Sequence, residues 1–184
     1  MRVLATFTAP ASSLRADAET GSGFTITVDS ADAATPAGAS PREAVLVGLA
    51  GCTGMDVAAI LAKKRQAPSS YQVAVEAETA ARPPRVFTRI VIEHQLSGVV
   101  EPEALHRAIE LSATRYCPVS AMLSRSVTLE HRYRLRQAGR PDREALVVIT
   151  GPDRSSRQVV GRCVTRGSLG WGARIGNAAE RAPQ

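Results

Sequence analysis

The sequence predicts an α+β fold in which antiparallel sheets surround two central helices, with elements in the order β-β-α-β-β-α-β. Three observations carry that expectation. Short segments alternate apolar and polar residues with the period of a half-buried strand. Two longer stretches open with proline at the first helical position. The strands also come in runs rather than alternating one-for-one with helices, which argues against a doubly wound parallel sheet. With 184 residues, 44% of them apolar, the chain is sized for one domain with a core.

Val3 to Thr8 and Phe24 to Asp29 read as the opening strands, the second from the alternation Phe-Thr-Ile-Thr-Val behind Gly21 and Gly23. Ser30 to Ser40 is Ala, Asp, Pro, Gly and Ser, which is loop chemistry. Ser40-Pro41-Arg42-Glu43 then gives a helix start, with Ser40 as N-cap, Pro41 at the first position and Glu43 completing a capping box. This helix should run to about Arg65. Its interior is apolar on nearly every side, so it is expected to be covered all round.

Tyr71 to Ala80 and Val86 to Leu96 form a predicted hairpin, with Ala81-Arg82-Pro83-Pro84 as its turn. Glu101-Pro102-Glu103 opens a second helix that places Leu105, Ala108, Ile109 and Ser112 on one face. Tyr116-Cys117-Pro118 interrupts it, and a short segment to Leu123 precedes a last strand, Val127 to Leu135. Residues 1–136 are therefore expected to form the domain. Residues 137–184, with one apolar run at Leu146 to Ile149 and a lone Trp171, read as an Arg-rich extension without regular order.

Bulk properties exclude several classes. The net charge of +6 is concentrated in the extension, which holds 8 arginines against 4 acids, whereas residues 1–136 hold 15 basic against 13 acidic residues. Aromatic residues are scarce in the extension, so nucleic-acid binding by base stacking is not expected. Three cysteines without a C-x-x-C pair do not make a disulfide scaffold and fit a reducing, cytoplasmic setting, where a disulfide is transient. Met1 to Pro10 lacks the pattern of a secretory signal. Ala44 to Ala62 is apolar enough to raise a membrane span, but Asp56 at its middle is costly in lipid, and a helix buried in protein is expected instead.

Candidate chemistry rests on sulfur. Cys52, between Gly51 and Thr53 in the long helix, fits a small apolar filler as well as a nucleophile when read alone. Cys117 directly precedes Pro118, so it stands at a helix N-terminus, where unpaired amides and the dipole favour a thiolate. Asp56 lies one helical turn beyond Cys52, where it would disfavour a thiolate if ionised and close; it is expected instead to cap or pair elsewhere. His94, His131 and His106 are far apart in sequence and from the cysteines, so no metal site is expected and each is read as exposed. Gly48, Gly51 and Gly54 lie within a helix and suit close packing rather than phosphate binding, and no nucleophile elbow is present, so no cofactor is implied. Cys163 reads as an incidental thiol.

Ser40-Pro41-Arg42-Glu43, the run Gly-Leu-Ala-Gly-Cys-Thr-Gly from Gly48 to Gly54, and Tyr116-Cys117-Pro118-Val119-Ser120 resemble the two cysteine motifs of the OsmC/Ohr family, the osmotically inducible and organic hydroperoxide resistance proteins. The flavour is nearest the OsmC-like branch. The resemblance covers residues 1–136 and implies an intertwined homodimer with both long helices buried centrally. It implies that Cys52 is the peroxidatic cysteine that attacks an organic hydroperoxide, that Cys117 resolves the sulfenic acid to a disulfide, and that an external dithiol restores the pair. It further implies an Arg that lowers the thiol pKa and a Glu that orients the Arg. Glu43 stands nine residues before Cys52, as in the OsmC-like branch, and the cation is Arg15, Arg42 or an arginine of the other subunit. The alternative reading is a non-enzymatic dimer that senses oxidation or holds an apolar ligand.

Overall fold

The structure, a computed structural model, describes residues 1–7, 14–152 and, for the backbone, 158–165. The side chain of Cys163 and the Arg-rich segment with Trp171 lie outside the described residues. Three N-terminal strands, β1 (Val3–Phe7), β2 (Ala16–Thr20) and β3 (Thr25–Val28), make one antiparallel sheet in that order. The middle strand is absent from the sequence expectation. Its residues, Ala-Asp-Ala-Glu-Thr, are poor strand formers, and pairing on both edges rather than propensity holds it extended.

The second sheet has five strands, β4 (Ser70–Thr79), β5 (Phe87–Ser97), β6 (Thr128–Arg136), β7 (Arg143–Thr150) and β8 (Gln158–Thr165), in sequence order. It does not end at Arg136. The apolar run at Leu146 to Ile149 belongs to β7, which pairs antiparallel with β6 and buries Ala145, Val147 and Val148. All neighbours are antiparallel except β5 and β6, which run parallel in register from Arg89↔Thr128 to Ser97↔Arg136. Parallel neighbours need a crossover. Here it is built from α2 (Pro102–Leu111), one π-helical turn over Ser112–Tyr116, and α3 (Pro118–Leu123).

The long helix α1 (Pro41–Lys63) starts as its sequence requires. The Ser40 hydroxyl accepts from the Glu43 N–H at 3.3 Å, and the Glu43 carboxylate accepts from the Ser40 N–H at 2.7 Å. α1 packs against α2 and β4 through one face, Leu49, Thr53, Val57 and Leu61. Gly54 permits the approach to β4, since a Cβ there would lie 3.2 Å from Val73 Cγ2. Val57 and Leu61 join Leu105, Ala108 and Ile109 of α2 and Leu96, Tyr133, Leu135, Val147 and Val148 of the sheet in one core. Each fully buried leucine there contributes about 2 kcal/mol by area.

The expectation that α1 is covered all round is not met within one chain. Val45, Val47 and Met55 are 42%, 66% and 71% exposed, and Gly48 and Gly51 face open space. The N-terminal sheet likewise exposes Val3, Leu4, Phe7, Phe24 and Ile26. By length and composition α1 is also apolar enough to cross a membrane.

The remaining face of the large sheet is ionic. Arg89 bridges Glu130 at 2.8 Å and Glu78 at 2.9 Å, and buried Glu93 lies 3.3 Å from Arg132 and 3.8 Å from Arg134. This alternation of Ile90, Ile92, His94 and Leu96 inward with Arg89 and Glu93 outward fixes the register, because a one-residue slip would drive the charges into the core.

Candidate active site

The two cysteines separated by 65 positions in sequence meet where α1 passes the crossover. Cys52 sits in the fourth turn of α1, half-buried, and Asp56 follows on the same helix face four residues later. Cys117 is buried at the N-cap of α3, with Pro118 at the first helical position as the sequence indicates. The two sulfurs and a carboxylate oxygen of Asp56 all lie within 4.8 Å of one another. Both thiols are free.

The crossover supplies the donors around this cluster. The Ser120 N–H donates to Cys117 Sγ at 3.3 Å, and the Val119 N–H donates to the Cys52 sulfur. Ser112, the first residue of the π-helical turn, donates from its hydroxyl to Asp56 Oδ2 at 3.0 Å and lies 3.0 Å from the Thr53 hydroxyl. Its carbonyl accepts from the Cys117 N–H at 2.9 Å. Ser112 and Thr53 are fully buried, so this bridge replaces the water their hydroxyls would otherwise need.

Electrostatics at Cys52 run against ionisation. Burial pushes its thiol up, the hydrogen bond toward Cys117 adds to that, the Val119 N–H opposes it, and the charges of Cys117 and Asp56 raise it further, to about 11.

The other expected site residues stand apart. Arg15 precedes β2 and lies 3.6 Å from Asp17, with its charge also felt by Asp29. Arg42 is exposed in the first turn of α1 and acts on neighbouring Glu43. The Glu43 carboxylate is engaged in the helix cap, which holds it below the usual range. The structure thus brings Cys52 and Cys117 together and leaves Glu43, Arg15 and Arg42 at the N-terminal end of α1 or in the small sheet.

Two histidines read as exposed are instead fully buried. His94 and His131 are diagonal neighbours on β5 and β6, where Ile92 pairs with His131 and His94 with Tyr133; their rings stack with centroids 6.2 Å apart, and the Tyr71 hydroxyl lies 2.7 Å from His94 Nδ1. Burial, with the neighbouring His131, holds His94 well below its ordinary value, and burial brings His131 down to about 4. Burial and then the charge of Asp56 raise the Tyr71 phenol. Period-two alternation on β5 and β6 places both histidines on the core face, which is the signal the isolated residues lacked. Asp56, expected to cap or pair elsewhere, stands beside both sulfurs, and Ser112 is a site residue whose role went unread. Four-residue spacing from Cys52 marked the first, and the apolar face of α2 marked the second.

The sequence profile of the OsmC-like protein family matches residues 32–132, which include both cysteine motifs. The chain belongs to the OsmC-like family. It is 38% identical to the protein YhfA of Escherichia coli K12 over 95 residues, 51% of this chain and 71% of that one. A hypothetical protein from Aquifex aeolicus superposes with a TM-score of 0.65 at 29% identity, covering 74% of this chain and 96% of the other. An organic hydroperoxide resistance protein OsmC from Legionella pneumophila shares the fold at 15% identity, with a TM-score of 0.54 and coverage of 73% and 95%. Within this OsmC-like chain, Arg15, β7 and β8 lie outside the matched segment.

Proposed function

We propose that this OsmC-like chain is a thiol-dependent peroxidase that reduces organic hydroperoxides through Cys52 and Cys117. The observation that carries the reading is the pair itself. A half-buried sulfur on α1 stands beside a buried second sulfur, close enough for a bond after side-chain rotation.

The Cys52 thiolate attacks the terminal oxygen of the hydroperoxide, the O–O bond breaks, and the alkoxide leaves as the alcohol on taking up a proton. Cys52 becomes a sulfenic acid. The Cys117 sulfur then attacks Cys52, hydroxide leaves as water, and the disulfide forms. An external dithiol returns two electrons by exchange. A cytoplasmic setting suits that regeneration.

The reaction site belongs in a homodimer. Val45, Gly48, Cys52, Met55 and Ala59 follow one another at helical spacings of three and four along the uncovered side of α1, the stripe that a second helix would fill. The exposed apolar residues of the N-terminal sheet need cover of the same kind.

Stopped-flow consumption of cumene hydroperoxide tests the proposal. The wild-type chain should react and Cys52→Ser should not, while Cys117→Ser should complete one turnover and then overoxidise at Cys52. Equal, slow consumption by wild type and Cys52→Ser would sink the reading. A second reading, a dimer that senses oxidation without efficient turnover, draws on the elevated Cys52 thiol. It predicts disulfide formation at stoichiometric peroxide with negligible steady-state rate.

A further inference from the structure

We propose that Cys52, Asp56 and Cys117 form a binding site for a single zinc ion. Two features of the cluster point to a cation, its donor geometry and the hydrogen-bonded support behind it. Two thiols and a carboxylate present their ligand atoms within 4.8 Å of one another. Tetrahedral zinc with arms of about 2.1 to 2.3 Å needs ligand atoms separated by about 3.4 to 3.8 Å. Closing the difference takes side-chain rotations of Cys52 and Asp56, which lie on the same face of a rigid helix, while Cys117 stays at the α3 N-cap.

The surroundings are those of an oriented ligand set. The Ser112 hydroxyl holds Asp56 Oδ2, which leaves Oδ1 for the ion, and Thr53 in turn lies against Ser112. Such hydrogen-bonded support behind a ligand fixes its direction and tunes its affinity. Deprotonated, the three ligands carry three negative charges, and zinc leaves one.

Donor chemistry selects the metal class. Two thiolates disfavour magnesium and calcium, which require oxygen ligands, and the carboxylate is a poor partner for monovalent copper. Zinc accepts both donor types. Three protein ligands leave a fourth position for water or a small ligand. Binding exchanges two thiol protons for the ion, with no change of oxidation state. The inference does not rest on peroxide chemistry, although it has a consequence for it: a zinc-bound Cys52 is withheld from hydroperoxide.

The test uses the full-length chain, reduced and freed of metal with a chelator under anaerobic conditions. Titration with cobalt(II) should produce a thiolate-to-cobalt charge-transfer band that saturates at one ion per chain. Competition for zinc against a chromophoric chelator should show affinity about 100-fold lower for Cys52→Ser and Cys117→Ser. Asp56→Asn and Ser112→Ala should each lower it about tenfold. Cys163→Ser should match wild type, and circular dichroism of each metal-free variant verifies that it is folded. A cobalt spectrum without a thiolate band, or zinc affinity unmoved by Cys52→Ser and Cys117→Ser, overturns the proposal. Peroxide consumption measured on the metal-free chain separates the two readings, since loss of one result leaves the other standing.

Discussion

Alkylation of Cys52 should keep accelerating well above neutral pH, and removal of Cys117 should move that profile down. Burial is the largest cause of the elevated thiol, followed by the hydrogen bond to Cys117, which together with the smaller effects brings it to about 11 from 9.0. At pH 8 a thiol at 11 is about one part in a thousand thiolate, against about one in ten at 9.0. The thiolate of the weaker acid is the better nucleophile, by roughly six- to tenfold for this difference. The net expectation is alkylation about 10- to 16-fold slower than that of an ordinary thiol at pH 8, from these two factors.

The assay is timed labelling with iodoacetamide from pH 7 to 11, read for the Cys52 peptide by mass spectrometry. Cys117→Ala removes both the hydrogen-bond acceptor and the second ionisable sulfur, so the midpoint should fall and labelling at pH 8 should rise several-fold. The midpoint rather than the plateau is the readout, because it is insensitive to better access. A wild-type profile already flat by pH 8 would refute the reasoning and put a cation beside Cys52, with an arginine of a second copy as its source.

Stability should fall as pH drops from about 6.5 to about 4. His131 takes up a proton near 6.5 when unfolded but only near 4 when folded, so the unfolded state binds more protons across that window. The loss for this residue is on the order of 3 kcal/mol, and urea midpoints over that range should fall less steeply in His131→Phe, in which buried His94 still titrates. Ser40→Ala removes half of the α1 capping box and should lower unfolding free energy by about 1 kcal/mol in urea titrations. Met55→Glu places a charge on the open side of α1 and should convert the proposed dimer to monomer in light scattering, while leaving the far-ultraviolet circular dichroism per residue unchanged.

The features legible in the sequence are those set by neighbours along the chain. The capping box at Ser40 and Glu43, Pro118 behind an N-cap cysteine, and the inward face of Leu105, Ala108, Ile109 and Ser112 all depend on spacings of a few residues. What escaped depends on pairing across the fold. β2 is a strand because β1 and β3 flank it, despite residues of low strand propensity, whereas β7 carries the strand-forming run Leu-Val-Val-Ile-Thr inside an otherwise Arg- and Gly-rich stretch and takes its place from the edge that β6 offers. His94 and His131 show burial only through their place in the period-two alternation of β5 and β6, which a single histidine does not reveal. Their role follows from parallel pairing of β5 and β6, which the crossover imposes.

The site owes its form to one such crossover residue. Ser112 continues the buried face of α2, and its hydroxyl reaches Asp56 while its carbonyl holds the Cys117 N–H. Without the π-helical turn, the next α-helical turn would carry the chain onward from α2, and Cys117 would not cap α3. The turn therefore ties the orientation of one cysteine to the carboxylate that stands beside the other. Because both supports are buried and satisfied, the sulfurs are held near each other by the backbone rather than by a bond between them. A pair held this way can close on oxidation or on a metal ion through side-chain rotation alone, and either closure must release the other.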